Sequence, residues 1–405
     1  MEKFDHIYRN IKYRILVLSA FVYLHIFKRN LIKEEIWLIS EKRTEARDNG
    51  YHLFKYLVNN IEDIVPVYVI DKNSSDYNKV KDLGKVIRYD SFTHFVYFLA
   101  ARYRIGGQVQ GGKPYIDVAR QSTLKNLRRK DQIHFFIKHG IAKDDIPGSY
   151  DYRVAGYDVM FNGSVQEYNY YKNRYNYPDY NIKCPGLCRF DNLLTPHEVE
   201  KIILVMPTYR TWLRPADSSK EATKDEKKKF LQSEYYQKYM GLLEDKELNR
   251  MLNEAGYKII FYPHYTMQPY IELFKGDLNQ SEVVIADRKQ YDVQELLMKS
   301  AILITDYSSV YFDFGYMKKP VILYQFDKEK YRKNQYSEGW LSYDKDFFGP
   351  IFTKQDDLRI YVSSMLDNNT VIPKMDTEYI NKLDKLFNYT DNGNCRRVYE
   401  TIKQY

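Results

Sequence analysis

The chain has 405 residues, 44% of them hydrophobic, and a formal net charge of +8. That length exceeds what one core usually serves, so two globular domains are expected, and the basic balance favours an anionic partner: polyphosphate, nucleotide, membrane surface or nucleic acid. Three cysteines, Cys184, Cys188 and Cys395, are too few and too oddly spaced for a disulfide framework or a four-ligand zinc site, and they read as free thiols in a reducing compartment.

The first element is the apolar run Ile15 to Phe27, interrupted by Ser19 and His25. It is shorter than the roughly 20 residues of an ordinary transmembrane helix. Arg9, Lys12, Arg14, Lys28, Arg29 and Lys33 flank it, and no small-residue cleavage site follows. Two readings stand: a helix lying in the interface of an anionic bilayer, or a helix packed on the domain that follows.

Strand and helix patterns then alternate. Glu35 to Ser40 reads as a strand, Arg47 to Val58 as a helix, Ile64 to Ile70 as a strand and Ser91 to Ala101 as a helix before an apolar turn at Ile105-Gly106-Gly107. His134 to Lys138 and Val159 to Phe161 continue the series. Cys184 to Val199, with Pro185, Gly186 and Pro196, reads as the linker. A second series holds Lys201 to Met206, one charged helix around Glu234 to Glu254, then Tyr257 to Tyr262, Val283 to Ala286, Ala301 to Thr305 and Pro320 to Tyr324. Such alternation predicts parallel sheets covered by helices. The expected division is an N-terminal segment 1–33, domains 34–190 and 191–375, and a C-terminal helical segment 376–405 packed back on the first domain.

Ligands of parallel sheets sit at the carboxyl ends of strands, and the chemically capable residues of this chain follow strands. His139-Gly140 comes after the strand ending at Lys138; a histidine there is either a general base or a structural residue. Pro207-Thr208-Tyr209-Arg210 follows the first strand of the second series, and Arg210 is a candidate phosphate clamp or a solvated cation. His264, after Tyr262-Pro263, is a candidate to hold or protonate a leaving phosphate, or a turn residue. Thr305-Asp306-Tyr307-Ser308-Ser309 joins a buried strand to a helix, where the first backbone N–H groups suit phosphate and where Ser and Asp equally serve as caps. Asp327 follows the next strand and could meet ribose or cap a helix. Asp48 and Asn49-Gly50 open the first helix after the first strand, as caps or as acceptor contacts. The basic residues Arg120, Lys125, Arg128, Arg129 and Lys130 read as a solvated loop or an anion contact, and no nucleic-acid-binding signature accompanies them. No acidic cluster has metal-ligand spacing, so neither a metal nor another cofactor is expected.

The string from Leu296 to Asp327, with Thr305-Asp306-Tyr307-Ser308-Ser309, Phe312-Asp313 and Lys319-Pro320, resembles the C-terminal signature of the CDP-glycerol glycerophosphotransferase family of teichoic-acid primases and polymerases. His139-Gly140, Thr208 to Arg210 and Asp391 to Arg396 also resemble that family, although Lys138 stands where tryptophan usually precedes the histidine. The resemblance implies an α/β fold of the GT-B type: two Rossmann-like domains facing a central cleft, preceded by an apolar helix. It implies transfer of glycerol phosphate from CDP-glycerol to a lipid-linked or polymeric acceptor in teichoic-acid or capsular polymer synthesis, with release of CMP. A CDP-ribitol donor, or a nucleotide-sugar glycosyltransferase, is the alternative. His139 becomes the base and His264 its partner at the leaving group; Thr208, Arg210, Ser308 and Ser309 become diphosphate contacts. Thr305, Asp306 and Asp327 become nucleotide contacts, and Asn49, Gly50 and Gly140 acceptor contacts. The expected location is peripheral, on the anionic cytoplasmic face of a bacterial cell membrane.

Overall fold

The structure, a computed structural model, describes residues 2–109, 111–114, 126–218, 220–276, 278, 282–366 and 370–405, with side chains from residue 10 onward. The chain divides into two compact units, one of residues 1–141, 147–192 and 391–405, the other of residues 142–146 and 193–390.

The first unit opens with helix α1 (Glu2–Phe27). Its strands are β1 (Ile36–Ser40), β2 (Val65–Ile70), β3 (Lys85–Arg88), β4 (Tyr103–Gly106) and β5 (Ile133–Phe136). The short β6 (Asp144–Asp145) belongs to the second unit; β7 (Val159–Phe161) and β8 (Ile182–Lys183) complete the sheet, ordered β3-β2-β1-β4-β5-β7-β8. Its pairings are all parallel. Parallel strands are buried on both faces, and β1 is buried throughout. Because successive side chains alternate, Trp37 and Ile39 meet Leu53, Phe54 and Leu57 of helix α2 (Asn49–Asn60) with Val398 and Ile402 of the helix Asn394–Ile402. Ile36 and Leu38 meet Val17, Ala20 and Leu24 of α1 with Phe95, Phe98 and Leu99 of the helix Phe92–Ala100.

One predicted turn is a strand. Ile105 and Gly106 lie in β4, and the glycine is required because a Cβ there would stand 2.7 Å from the Gly111 Cα. Periodicity missed β4 because four buried residues between loops carry too short a pattern.

In the second unit β9 (Glu200–Val205), β10 (Lys258–Phe261), β11 (Val283–Ile285), β12 (Ser300–Thr305) and β13 (Val321–Tyr324) are joined by β15 (Ile351–Phe352) in the order β11-β10-β9-β12-β13-β15. All these pairings are parallel, while β14 (Ser337–Glu338) pairs antiparallel with β6. The single helix expected over Glu234 to Glu254 is two, Glu234–Leu243 and Lys246–Glu254. Asp245 makes the break: its carboxylate accepts the Leu248 N–H at 3.0 Å, an N-cap that a helix interior could not hold. The C-terminal segment also divides. The helix Thr377–Leu386 belongs to the second unit and Asn394–Ile402 to the first, where Asp191 accepts the N–H groups of Asn394 at 2.7 Å and Cys395 at 2.8 Å.

Both sheets reverse their strand order at one place, between β1 and β4 and between β9 and β12. Loops leaving the carboxyl ends at such a reversal diverge and open a crevice within the unit.

Candidate active site

In the second unit, the loops after β9 and β12 meet across the reversal. The Thr208 N–H donates to Asp306 Oδ1 at 2.8 Å, and the Thr305 hydroxyl donates to the Met206 carbonyl at 2.6 Å. Arg210 reaches the other carboxylate oxygen, Oδ2, through Nη1 at 2.9 Å. Its Nε and Nη2 donate to the two oxygens of Asp327, after β13, at 2.7 and 2.9 Å. The Tyr239 hydroxyl donates to Asp306 at 3.0 Å and the Tyr307 hydroxyl to Asp327 at 3.2 Å.

Tyr235, Tyr307 and Tyr331 place their rings 5.0–5.3 Å from the Arg210 guanidinium carbon. Burial works against the charge of Arg210, but Asp306 and then Asp327 outweigh it and hold its pKa well above the ordinary arginine range.

The charged residues expected at the donor site are engaged with one another. Arg210, expected as a phosphate clamp, has no solvent exposure, and each of its three nitrogens is engaged by protein oxygen. Thr305, Asp306 and Asp327, expected as nucleotide contacts, are likewise engaged within the loops and frame the site.

What the frame presents is different. Ser308 and Ser309 are half-buried, and neither hydroxyl forms a hydrogen bond among the described residues. Ser309 precedes the helix Val310–Tyr316 without capping it. The Thr208 hydroxyl is buried and also lacks a partner. His264, half-buried after β10, accepts the Thr266 N–H at Nδ1 at 3.2 Å, which leaves the proton of its neutral imidazole on Nε2. Its ring lies 4.8 Å from that of Tyr209. The expected Asp313 is buried inside that helix.

In the first unit the chain leaves β5 through Lys138, a non-glycine residue at φ 56°, and exposes His139. Asn49, fully buried at the start of α2, donates from Nδ2 to the Lys138 carbonyl at 3.1 Å and accepts the Arg189 N–H at 3.0 Å. Arg189 in turn donates to the His139 carbonyl and to Asp48 at 2.9 Å. Asn49 therefore supports the histidine loop and is not exposed to an acceptor. Gly50 is buried, and a Cβ there would stand 3.0 Å from the Glu41 side chain; Gly140 is buried beside His139. Desolvation by surrounding protein lowers the His139 pKa; Arg189, Lys138 and Lys42 add to this and Asp48 opposes it. The imidazole is thus neutral, and able to take a proton, near pH 7.

Several residues of these sites escaped the sequence reading. Tyr239 and Tyr331 come from helices whose pattern says only core, and Glu167, the partner of Lys138, looks like an ordinary first-turn acid. Arg129 is held by Asp131 at 2.7 Å, whereas Arg120 and Lys125 lie outside the described residues. Among the described residues no group of three or more acidic, His or Cys side chains is placed to hold a metal ion.

Residues 20–404 match the family described as CDP-Glycerol:Poly(glycerophosphate) glycerophosphotransferase. The chain is 33% identical over 375 residues to the Minor teichoic acid biosynthesis protein GgaB of Bacillus subtilis, covering 91% of this chain but 40% of that protein. It is 26% identical over 348 residues to a Teichoic acid poly(glycerol phosphate) polymerase of Bacillus spizizenii, covering 80% of this chain and 82% of that one. A structure of the Wall Teichoic Acid Polymerase TagF shares the fold with a TM-score of 0.66 at 17% identity, over 99% of this chain and 96% of that chain. With the family match extending over almost the whole sequence, this chain belongs to the CDP-glycerol:poly(glycerophosphate) glycerophosphotransferase family.

Proposed function

We propose that the chain transfers glycerol phosphate from CDP-glycerol to a hydroxyl of a lipid-linked or polymeric acceptor in teichoic-acid synthesis. The observation that carries this reading is the set of hydroxyls at the carboxyl ends of β9 and β12 that make no hydrogen bond among the described residues. The hydroxyls of Thr208, Ser308 and Ser309 are offered by a frame in which Arg210, Asp306 and Asp327 are paired with one another. Such donors suit a diphosphate, whose transfer chemistry needs positioning and stabilisation of oxygen charge more than covalent help from protein.

In the proposed reaction the acceptor hydroxyl loses its proton to His139, and its oxygen forms a bond to the β-phosphorus of CDP-glycerol. The bond from that phosphorus to the bridging oxygen breaks, and CMP leaves with the electron pair. His264 donates a hydrogen bond to the departing phosphate, Ser308, Ser309 and Thr208 hold the diphosphate oxygens, and Gly140 lets the acceptor approach His139. Arg210, Asp306, Asp327, Thr305 and Asn49 act as positioning residues.

The peripheral location is part of the proposal. α1 has two apolar faces. Tyr13, Val17, Ala20 and Leu24 are buried on the first unit, whereas Ile11, Ile15, Leu18, Val22, Ile26 and Phe27 are 50–68% exposed at helical spacing. Residues 10–27 are long and apolar enough to cross a membrane, but one face is committed to protein. A helix so divided, with Lys12, Arg14, Lys28 and Arg29 beside it, suits the interface of an anionic bilayer.

The test incubates purified protein with CDP-glycerol or CDP-ribitol and a teichoic-type lipid acceptor on anionic vesicles, following CMP release and product mass. CMP release with a gain of one glycerol phosphate supports the reading. Folded protein that releases no CMP from CDP-glycerol, or adds ribitol phosphate instead, overturns it. Leu18→Glu/Val22→Glu lowers vesicle binding by at least about tenfold if the exposed stripe of α1 is the contact.

A further inference from the structure

Lys138 is placed at an unusual expense. A left-handed backbone strains a residue with a side chain, and an ammonium withdrawn from water is strongly disfavoured unless it is paired. Lys138 has both liabilities: φ is 56° and the residue has no solvent exposure. Its Nζ donates to Glu167 Oε1 and lies 4.5 and 5.2 Å from the ring centroids of Tyr171 and Tyr150.

Glu167 is equally constrained. It is fully buried in the first turn of the helix Val165–Arg174, where the helix dipole favours an anion. Its Oε2 accepts the Gly163 N–H at 3.1 Å, and its own N–H donates to Ser164 at 3.2 Å. Both carboxylate oxygens are therefore committed, one to Lys138 and one to backbone.

An ion pair of this kind contributes little stability over an apolar pair of the same volume. What it does supply is a defined direction. With Nζ drawn inward to Glu167 and the carbonyl held by Asn49, Lys138 turns the next residue outward. His139 emerges with its imidazole free of hydrogen bonds among the described residues and its carbonyl held by Arg189.

We propose that the buried Lys138–Glu167 pair is the positioning device for His139, fixing the left-handed turn that aims the imidazole and keeping a cation beside it. This rests on the reading of His139 as the base. The groups acting on that imidazole are Asp48 from the start of α2, Lys42 from the loop after β1, Arg189 from the segment after β8, and Lys138 itself. Of these, Asp48 favours the protonated ring and the three cations oppose it.

The test measures kcat, donor KM and the acid limb of the kcat pH profile for Lys138→Met, Lys138→Arg, His139→Ala and Lys138→Met/Glu167→Met. Loss of aim in Lys138→Met lowers kcat by about 100-fold while donor KM stays within about twofold, since the donor is held elsewhere. Its acid limb moves to higher pH because a neighbouring cation is gone. Lys138→Arg restores the pair and recovers most of kcat. The double variant replaces the ion pair by apolar volume, so it keeps a native melting curve and still shows the kcat loss and the shifted limb. A folded Lys138→Met or double variant with unchanged kcat and an unmoved limb overturns the proposal, as does a donor KM that rises in step with the loss of kcat. If His139→Ala remains active, the base reading has failed. If His139→Ala is inactive while Lys138→Met behaves as wild type, the positioning proposal alone has failed.

Discussion

The polar centres of the two units are built on opposite plans. In the first, the candidate chemical group, the His139 imidazole, is exposed and free of hydrogen bonds among the described residues, while Lys138 before it is gripped by Asn49 and Glu167 and the His139 carbonyl by Arg189. In the second, the most conspicuous charged residues, Arg210, Asp306 and Asp327, are consumed by one another, and small hydroxyls are left available. In one unit the conspicuous charges are thus paired with one another, while in the other a buried ion pair stands beside the candidate base. The contrast teaches that a buried arginine between two carboxylates is better read as a keystone than as a ligand clamp, because a phosphate would have to displace partners already at hydrogen-bond distance.

The sharpest way to break the comparison is to remove the keystone. Arg210→Met leaves Asp306 and Asp327 buried without their cation, and such a loss costs about 3–5 kcal/mol. Urea unfolding of the variant should show that loss, together with loss of activity. If stability is unchanged and only donor KM rises, Arg210 is a clamp after all. His139→Ala should do the reverse. Removing a general base lowers kcat by about 10²–10⁴-fold, while an exposed side chain without partners changes stability by no more than about 0.5 kcal/mol. A destabilised His139→Ala protein would erase the distinction drawn between the two centres.

A smaller effect separates ligand contact from helix capping at Ser308 and Ser309. Replacing a serine that caps a helix costs about 0.5–2 kcal/mol of stability. Here Ser309 makes no capping bond, so Ser308→Ala and Ser309→Ala should unfold at the wild-type urea midpoint. Each loses a hydrogen bond to a charged oxygen, about 1.5–3 kcal/mol or 10–100-fold in kcat/KM for the donor. A lowered midpoint with unchanged donor kinetics would return both residues to the role of caps.

Much of this was legible before any coordinates. β1, β2, β7, β9, β12 and β13 are apolar runs bounded by polar residues, and the ends of β5, β9, β10 and β12 bring His139, Thr208, His264 and Ser308 to the carboxyl edges where ligands of parallel sheets bind. What could not be read was pairing between distant side chains. Nothing near Arg210 in sequence announces Asp327, 117 residues away, and Lys138 carries no mark of Glu167, 29 residues away. The strap of residues 142–146 that joins the second unit was hidden for the same reason. Its Asp144 is shared by the adjacent Lys143 and by Arg332, 188 residues away, each at 2.6 Å, beside the β6–β14 pairing.

The smallest expected effect concerns Glu41, which underlies the first unit's side of the comparison. It follows β1 and receives the backbone N–H groups of Arg47, Asp48 and Tyr51 at 2.7–2.9 Å, fixing the turn from which Asp48 and Asn49 reach the histidine loop. Burial first, and then Asp48, raise its pKa from 4.5 to about 8, against the three N–H bonds that favour the carboxylate. Between those values the folded chain holds a proton that the unfolded chain has released, so this group's contribution to stability falls as pH rises, and the loss is complete above about pH 8. Glu41→Gln removes the titration and loses one acceptor, for about 1 kcal/mol. The variant should therefore be less stable than wild type near the acid end of that window and recover relative to it toward the alkaline end, so that the two urea-midpoint curves converge or cross. Parallel curves would mean that Glu41 titrates as an ordinary carboxylate, and that the support of the histidine loop carries no pH dependence from this residue.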